Sequence, residues 1–161
     1  MEGYKNIMNK TVVKQWDKNK EVLREVIKRD KNLKHCYYSY LMKLVIAHIL
    51  NNDPVDGVVF DDVDFTENDY GTYQGTLEYI IHEKNKPETE SIFLTTSVDY
   101  GSCSFCDTLI GIKFDLKWDD NGEMDKTSLD DFMTLCLHLC QNLEKTNKEF
   151  YPNGNDKGIY D

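Results

Sequence analysis

The sequence lacks an apolar stretch long enough to cross a membrane. Its most apolar run, LMKLVIAHIL, spans only 41–50, whereas a transmembrane helix needs roughly 20 apolar residues. The first residues, MEGYKNIMNK, also lack the apolar core of a secretory signal. We therefore expect a cytoplasmic protein that has no membrane partner.

The sequence also lacks the even set of cysteines that a disulfide framework requires. It contains five cysteines, an odd number, and in the absence of a secretory signal we expect them to be reduced thiols. Its 161 residues are enough for one buried core and few for two domains. We expect a single domain over 1–150, followed by a flexible tail over 151–161.

Basic residues are scarce beyond the N-terminal third. Residues 1–50 contain 11 Lys and Arg against 5 Asp and Glu, a balance of +6, whereas residues 51–161 contain 8 against 24, a balance of −16. Nucleic-acid phosphates would repel the larger, acidic part, which argues against direct nucleic-acid binding. The pattern favours a basic protein partner, although acidic residues that only keep the protein soluble would give the same balance.

Two helices are predicted near the N-terminus. Apolar residues such as Val12, Trp16 and Leu23 recur at helical steps. A polar break at 29–35 separates them from a second, more apolar helical pattern over 37–49. Because this second pattern is apolar on most sides, we expect it to form the central helix of the core.

The middle of the chain changes to a two-residue period that is typical of strands. In TYQGTLEYIIHE (72–83) apolar residues stand on alternate positions, and SIFLTTSVDY (91–100) is rich in Ile, Phe, Thr and Val; a polar turn separates the two segments. They predict an antiparallel hairpin. A shorter strand is predicted to start at VVF (58–60), and the strict alternation in LIGIKFDLKW (109–118) predicts one more.

A closing helix is predicted over 127–146. Its apolar residues share one face, and Ser128 is the expected N-cap residue. The predicted fold class is therefore α+β. It has two N-terminal helices, an antiparallel sheet of three to four strands, and a C-terminal helix packed on the sheet.

The segment SVDYGSCSFCDTLIGI (97–112) contains two cysteines in a CxxC pattern. They would form a zinc site if Cys136 and Cys140 of the closing helix supplied the other ligands. A redox pair is a second interpretation, but no βαβ unit precedes the pattern. The third is a tight turn after a strand, and we favour it, with no cofactor. Its structural motif comprises Tyr100, Gly101, Cys103, Cys106 and Asp107; a metal, if bound, would be zinc on Cys103 and Cys106.

The tract DPVDGVVFDDVDFTEND (53–69) contains seven carboxylates and no basic residue. Three interpretations are open: a divalent-cation site at Asp61, Asp62 and Asp64, a mimic of nucleic-acid phosphates, and a solvated acidic loop. No nucleophile and base pattern is recognisable by spacing, which favours a binding protein over an enzyme. The predicted partner-binding surface comprises Asp56, Asp61, Asp62, Asp64, Glu67 and Asp69.

Three segments in order, TYQGTLEYII, VDYGSCSFCDTLIGI and DDFMTLCLHLCQNL, resemble a family of uncharacterised proteins encoded by bacteriophages and prophages. The resemblance covers roughly 70–145. Phe105 stands where the family pattern has Gly, and Cys136 and Cys140 stand where it has small or aliphatic residues. The resemblance implies a small phage-encoded protein that acts inside an infected bacterium, often by binding a host protein.

The sequence thus predicts a non-catalytic inhibitor of a host defence factor, comparable to an anti-CRISPR protein. Its acidic surface would cover the nucleic-acid-binding site of the host protein. The alternatives are a small metal-dependent or nucleotide-handling enzyme that uses the acidic cluster and the CxxC pair, and a phage protein that self-assembles, for example as a homodimer.

Overall fold

The computed structural model describes residues 2–51, 63–71, 74–84, 93–101 and 107–146. The fold is α+β, as predicted. In chain order the elements are α1 (Glu2–Lys28), a 3-10 helix (Lys31–His35), α2 (Tyr38–Val45) continued by a π-helical turn (Ile46–Leu50), β1 (Val63–Asp69), β2 (Gly75–Glu83), β3 (Phe93–Tyr100), α3 (Thr108–Asp115), α4 (Lys126–Gln141) and β4 (Glu144–Thr146). Among these residues, no helix combines the length and apolarity needed to cross a bilayer.

The four described strands form one antiparallel sheet in the order β1-β2-β3-β4. The predicted hairpin is confirmed as β2 and β3, with Tyr79 opposite Thr96. On one face of the sheet lie Tyr79, Ile81 and Leu94, all buried, and this inner face packs against the helices. The hydroxyl of Thr96 donates to the carbonyl of Leu139 in α4 at 2.7 Å, which confirms that the closing helix packs on the sheet.

The core is built from the apolar stripes of three helices and the inner face. Leu23 of α1, Leu41 of α2 and Phe132 of α4 have no exposed surface and belong to one cluster. Burying a side chain of this size stabilises the fold by about 2 kcal/mol relative to leaving it in water. The helices therefore act as a layer that holds one face of the sheet away from solvent.

Residues 109–118 are not a strand, and this corrects the prediction. Residues up to Asp115 belong to α3 instead, because the residues that reach the core are Leu109, Ile112 and, just after the helix, Leu116, which follow helical spacing. Phe114, which the alternating pattern would bury, is 80% exposed. The alternation of apolar residues in this segment therefore does not determine which of them are buried in the core.

The closing helix starts and ends earlier than predicted. Its N-cap residue is Asp125, whose carboxylate accepts from the backbone N–H of Ser128 at 3.1 Å, while Ser128 lies buried in the first turn. The helix ends at Gln141, and Glu144–Thr146 pair with β3. The apolar residues that the prediction placed on one face are all buried, the last of them just past the end of the helix: Leu129, Phe132, Met133, Cys136, Leu139, Cys140 and Leu143.

The acidic tract is not simply a loop, since 63–69 form strand β1. Val63 and Phe65 pack against the core from the inner face, and this contact explains why an acidic segment is extended here. The strand predicted from VVF (58–60) and the predicted tail lie outside the described residues.

Candidate functional site

The structure describes some of the predicted site residues and not others. Asp64, Glu67 and Asp69 are exposed on β1, which lies at the edge of the described sheet. We call these three carboxylates the acidic edge. Tyr100 and Gly101 follow at the end of β3, and Asp107 immediately precedes α3. Asp56, Asp61, Asp62, Cys103 and Cys106 lie outside the described residues.

A pocket of about 410 Å³ brings the two predicted groups together. Glu67 and Asp69 line it from β1, and Tyr100, Gly101 and Asp107 line it from the other side. We call it the tyrosine–carboxylate pocket. Its remaining lining residues come from α2, β2 and α3 and from the residue before α2: Tyr37, Tyr38, Ser39, Leu77, Leu109, Ile110 and Lys113.

Asp64 does not belong to this pocket, because successive residues of a strand point to opposite faces. The register places Glu67 opposite Tyr79 on the inner face and Asp64 opposite His82 on the outer face. Asp64 instead accepts a hydrogen bond from the backbone N–H of its neighbour Phe65 at 2.9 Å. The structure therefore divides the predicted acidic surface between two faces of one strand.

At one end of the pocket, both oxygens of the Asp107 carboxylate accept hydrogen bonds within the chain. Its Oδ1 accepts from the hydroxyl of Tyr38 at 2.7 Å and from the N–H of Ile110 at 3.2 Å, and its Oδ2 accepts from the N–H of Gly101 at 2.9 Å. Asp107 is 5% exposed and is the N-cap residue of α3. It ties the end of β3 to α2 and α3, and it has a structural role.

At the other end, two carboxylates are exposed and held by tyrosines. The hydroxyl of Tyr79 donates to Oε2 of Glu67 at 2.6 Å, and that of Tyr100 donates to Oδ1 of Asp69 at 2.5 Å. The backbone N–H of Gly71 also donates to this Oδ1, at 3.1 Å. The second oxygen of each carboxylate accepts no hydrogen bond from any residue that the structure describes, so each retains capacity for an outside donor.

The tyrosines around the pocket resist ionisation. Burial raises the pKa of Tyr38 and of Tyr79 well above the ordinary value, and their hydrogen bonds to Asp107 and Glu67 raise it further. For Tyr100 the hydrogen bond to Asp69 is the main cause, and it raises the pKa from 10.0 to about 12. All three are therefore neutral donors at physiological pH.

One basic residue lines the pocket. Lys113 of α3 donates from Nζ to the carbonyl of Cys36 at 2.7 Å, and the same atom lies 5.5 Å from the centre of the Tyr37 ring. Tyr37 itself is 76% exposed. With three carboxylates and one ammonium in its lining, the pocket carries excess negative charge, and an exposed aromatic ring lies beside it.

The turn between β1 and β2 requires glycine at two positions. A Cβ on Gly71 would lie 2.2 Å from the carbonyl oxygen of Gln74, and one on Gly75 would lie 2.7 Å from the carbonyl oxygen of Tyr70. This close backbone approach gives a physical reason for the glycine in the YQGT segment. It also fixes the chain next to Asp69.

The helical cysteines are core residues. Cys136 and Cys140 have no exposed surface. Burial raises the pKa of Cys136 to about 12 and that of Cys140 well above its ordinary value, so both are unreactive thiols. Within the described part of the chain, no group of three or more His, Cys, Asp or Glu side chains is placed to hold a metal ion.

Sequence reasoning missed Tyr37, Tyr38, Tyr79 and Lys113 as site residues. Tyr38 and Asp107 are 69 residues apart in the chain, and no local pattern connects them. Tyr79 is one of the apolar residues on alternate positions of the predicted strand 72–83, and nothing in that pattern marks it as a site residue. Its pairing with Glu67 follows from the register once 63–69 is assigned as a strand.

Comparisons of this chain with protein-family models, with curated proteins and with solved structures find no match in any of the three. The resemblance to phage proteins therefore stays a prediction from the sequence.

Proposed function

We propose that this chain is a phage-encoded, non-catalytic binding protein that acts in the cytoplasm of an infected bacterium. Its acidic edge would cover a basic, nucleic-acid-binding surface of a host defence effector such as a CRISPR nuclease. The observation that carries the proposal is the edge strand β1, which exposes Asp64, Glu67 and Asp69 and contains no basic residue. The phage origin rests on the resemblance of residues 70–145.

The charge of the whole sheet supports the same proposal. Lys145 is the only Lys or Arg residue in the four described strands, whereas their acidic residues are Asp64, Glu67, Asp69, Glu78, Glu83, Asp99 and Glu144. Helix α1 has the opposite balance, since its basic residues, Lys5, Lys10, Lys14, Lys18, Lys20, Arg24 and Lys28, outnumber Glu2, Asp17, Glu21 and Glu25. The charge asymmetry of the sequence thus corresponds to two different structural elements.

Electrostatics explains how such an edge would act. A protein surface that binds nucleic acid is basic because it must neutralise phosphates, and the same surface attracts carboxylates. Attraction between opposite charges accelerates association and is screened at high salt. We therefore expect the chain to compete with nucleic acid, and to do so less effectively as the ionic strength rises.

The experiment is a displacement assay. A guide-loaded CRISPR effector is mixed with fluorescently labelled target DNA at about 0.1 M salt, where the Debye length is about 10 Å, and the chain is added while anisotropy is recorded. The test variant combines Asp64→Asn, Glu67→Gln and Asp69→Asn. The matched control combines Asp17→Asn, Glu21→Gln and Glu25→Gln, which removes the same charge from exposed positions of α1.

The wild-type chain and the α1 control should displace DNA, and the acidic-edge variant should not. An equal loss of displacement in both variants would show that net charge alone acts, and full displacement by both would show that these carboxylates do not act; either result would overturn the role of the edge. If a panel of nucleic-acid-binding defence effectors retains its DNA in the presence of the wild-type chain, the proposed function is wrong.

A further inference from the structure

We infer that the tyrosine–carboxylate pocket is a receptor for an arginine side chain of the partner protein. This inference rests on the proposed function, since it names the group on the partner that the acidic edge would bind. The site is a lined cavity with three kinds of surface: exposed carboxylates, an exposed aromatic ring and apolar side chains from Leu77, Leu109 and Ile110.

The hydrogen-bonding capacity of the pocket fits a cationic donor. Oε1 of Glu67 and Oδ2 of Asp69 accept nothing from the residues that the structure describes, while the other oxygen of each carboxylate is fixed by a tyrosine hydroxyl. The tyrosines thus orient the carboxylates before a ligand arrives, so less conformational freedom is lost on binding. Asp107 contributes negative charge, but it is 5% exposed and both of its oxygens already accept hydrogen bonds within the chain.

Geometry favours a guanidinium group over an ammonium group. Glu67 and Asp69 lie two residues apart on one face of β1, so their Cα atoms are about 7 Å apart. A planar guanidinium has five N–H donors along several edges and can donate to both carboxylates, whereas the single nitrogen of a lysine side chain is a compact point donor. The guanidinium plane also stacks on aromatic rings, and Tyr37 is 76% exposed beside the pocket.

Lys113 gives the inference a distinctive signature. Its ammonium lines the pocket and lies 5.5 Å from the Tyr37 ring, where it repels an incoming cation. Its removal should therefore strengthen arginine binding rather than weaken it. A pocket lysine that served an anionic ligand would give the opposite result.

The experiment is a titration of the full chain with acetyl-arginine amide, followed by the NMR signals of the pocket tyrosines. The capped lysine and the capped citrulline, which is nearly isosteric with arginine but neutral, are titrated in parallel. We expect saturable binding of the arginine probe, at least fivefold weaker binding of the lysine probe, and no binding of the citrulline probe.

Substitutions locate the binding. Glu67→Gln and Asp69→Asn should each weaken arginine binding at least fivefold, and Lys113→Gln should strengthen it several-fold. The control is Asp99→Asn, which removes an exposed carboxylate from the outer face of β3 and should leave the affinity unchanged. No saturable binding, equal binding of citrulline, or an equal loss in the Asp99 variant would overturn the inference.

The displacement assay separates this inference from the proposed function. If the chain binds the arginine probe but displaces DNA from no effector, the proposed function fails and the pocket remains an arginine site for another partner. If DNA is displaced equally well by the wild-type chain and by the Glu67→Gln and Asp69→Asn variants, the function stands and the arginine pocket is wrong.

Discussion

The two ends of the tyrosine–carboxylate pocket use the same pair of chemical groups for different purposes. At one end, Asp107 is buried and both of its oxygens accept hydrogen bonds within the chain. At the other end, Glu67 and Asp69 are exposed, and each has one oxygen without a described partner. The structural carboxylate is thus distinguished from the available ones by its burial and its number of donors, not by residue type.

This difference has an energetic basis. When a buried carboxylate is replaced by a group with fewer acceptor oxygens, some of its hydrogen-bond donors lose their partner. Each unpaired buried donor lowers the stability of the fold by about 1–3 kcal/mol. An exposed carboxylate is hydrated in both the folded and the unfolded chain. Its replacement by an amide therefore changes the free energy of unfolding very little. The comparison therefore predicts opposite effects on stability and binding at the two ends.

The largest expected effect is on stability, at Asp107. Asp107→Asn keeps the shape of the side chain but replaces an acceptor oxygen by an NH2 group, which then faces the N–H of Gly101 or the donors from Tyr38 and Ile110. We expect the free energy of unfolding to fall by about 2–3 kcal/mol. Urea denaturation monitored by circular dichroism measures it.

Asp69→Asn is the matched control. Both described hydrogen bonds to Asp69 are accepted by Oδ1, so the NH2 group of the asparagine can take the place of Oδ2, which accepts none from the described residues. It should change the free energy of unfolding by less than about 0.5 kcal/mol. Equal losses for the two variants would remove the distinction between the two ends.

A smaller effect is expected where tyrosine hydroxyls meet the exposed carboxylates. Tyr79 has no exposed surface, and its hydroxyl donates to Glu67 at 2.6 Å. Tyr79→Phe keeps the ring contact with Phe65 and removes only this hydrogen bond, so it should cost about 1 kcal/mol. Tyr100→Phe should cost less than Tyr79→Phe, since Tyr100 is only partly buried. Chemical denaturation compares them, and a larger loss for Tyr100→Phe would contradict the burial argument.

The fold was predictable where the core uses the most regular pattern of the sequence. The hairpin of β2 and β3 and the stripe of α4 follow from strand-forming composition and helical spacing, because Tyr79, Ile81 and Leu94 and the stripe residues of α4 all belong to the core. The strand prediction for 109–118 was wrong because the apolar residues of this segment fit both a two-residue spacing and a helical spacing. Leu109, Ile112 and Leu116, which have helical spacing, are the residues that pack in the core. The position of the neighbouring helices decides between the two spacings, and the local sequence does not show it.

The sequence predicted two groups of site residues, but it did not predict that both groups line the same pocket. Glu67 and Asp69 were singled out for their charge, and Tyr100, Gly101 and Asp107 as a turn motif. Their meeting depends on sheet register and on the docking of α3, which are long-range properties. The partner tyrosines carry no charge at neutral pH and stand in ordinary core patterns, so no local signal marks them.

The most specific probe of the open end is the ionisation of Tyr100. Its hydrogen bond to Asp69 raises its pKa to about 12, whereas the unfolded chain ionises near the ordinary value of about 10. Between these values the unfolded state binds fewer protons than the folded state, so this contribution to stability is complete below pH 10 and is lost as the pH rises toward 12.

NMR of ring-labelled tyrosine follows the ionisation directly. Asp69→Asn should lower the pKa of Tyr100 toward 10, and Asp99→Asn should leave it unchanged. A wild-type Tyr100 that ionises near 10 would show that Asp69 does not hold this hydroxyl in solution, and the orientation of the open carboxylate would then need another cause.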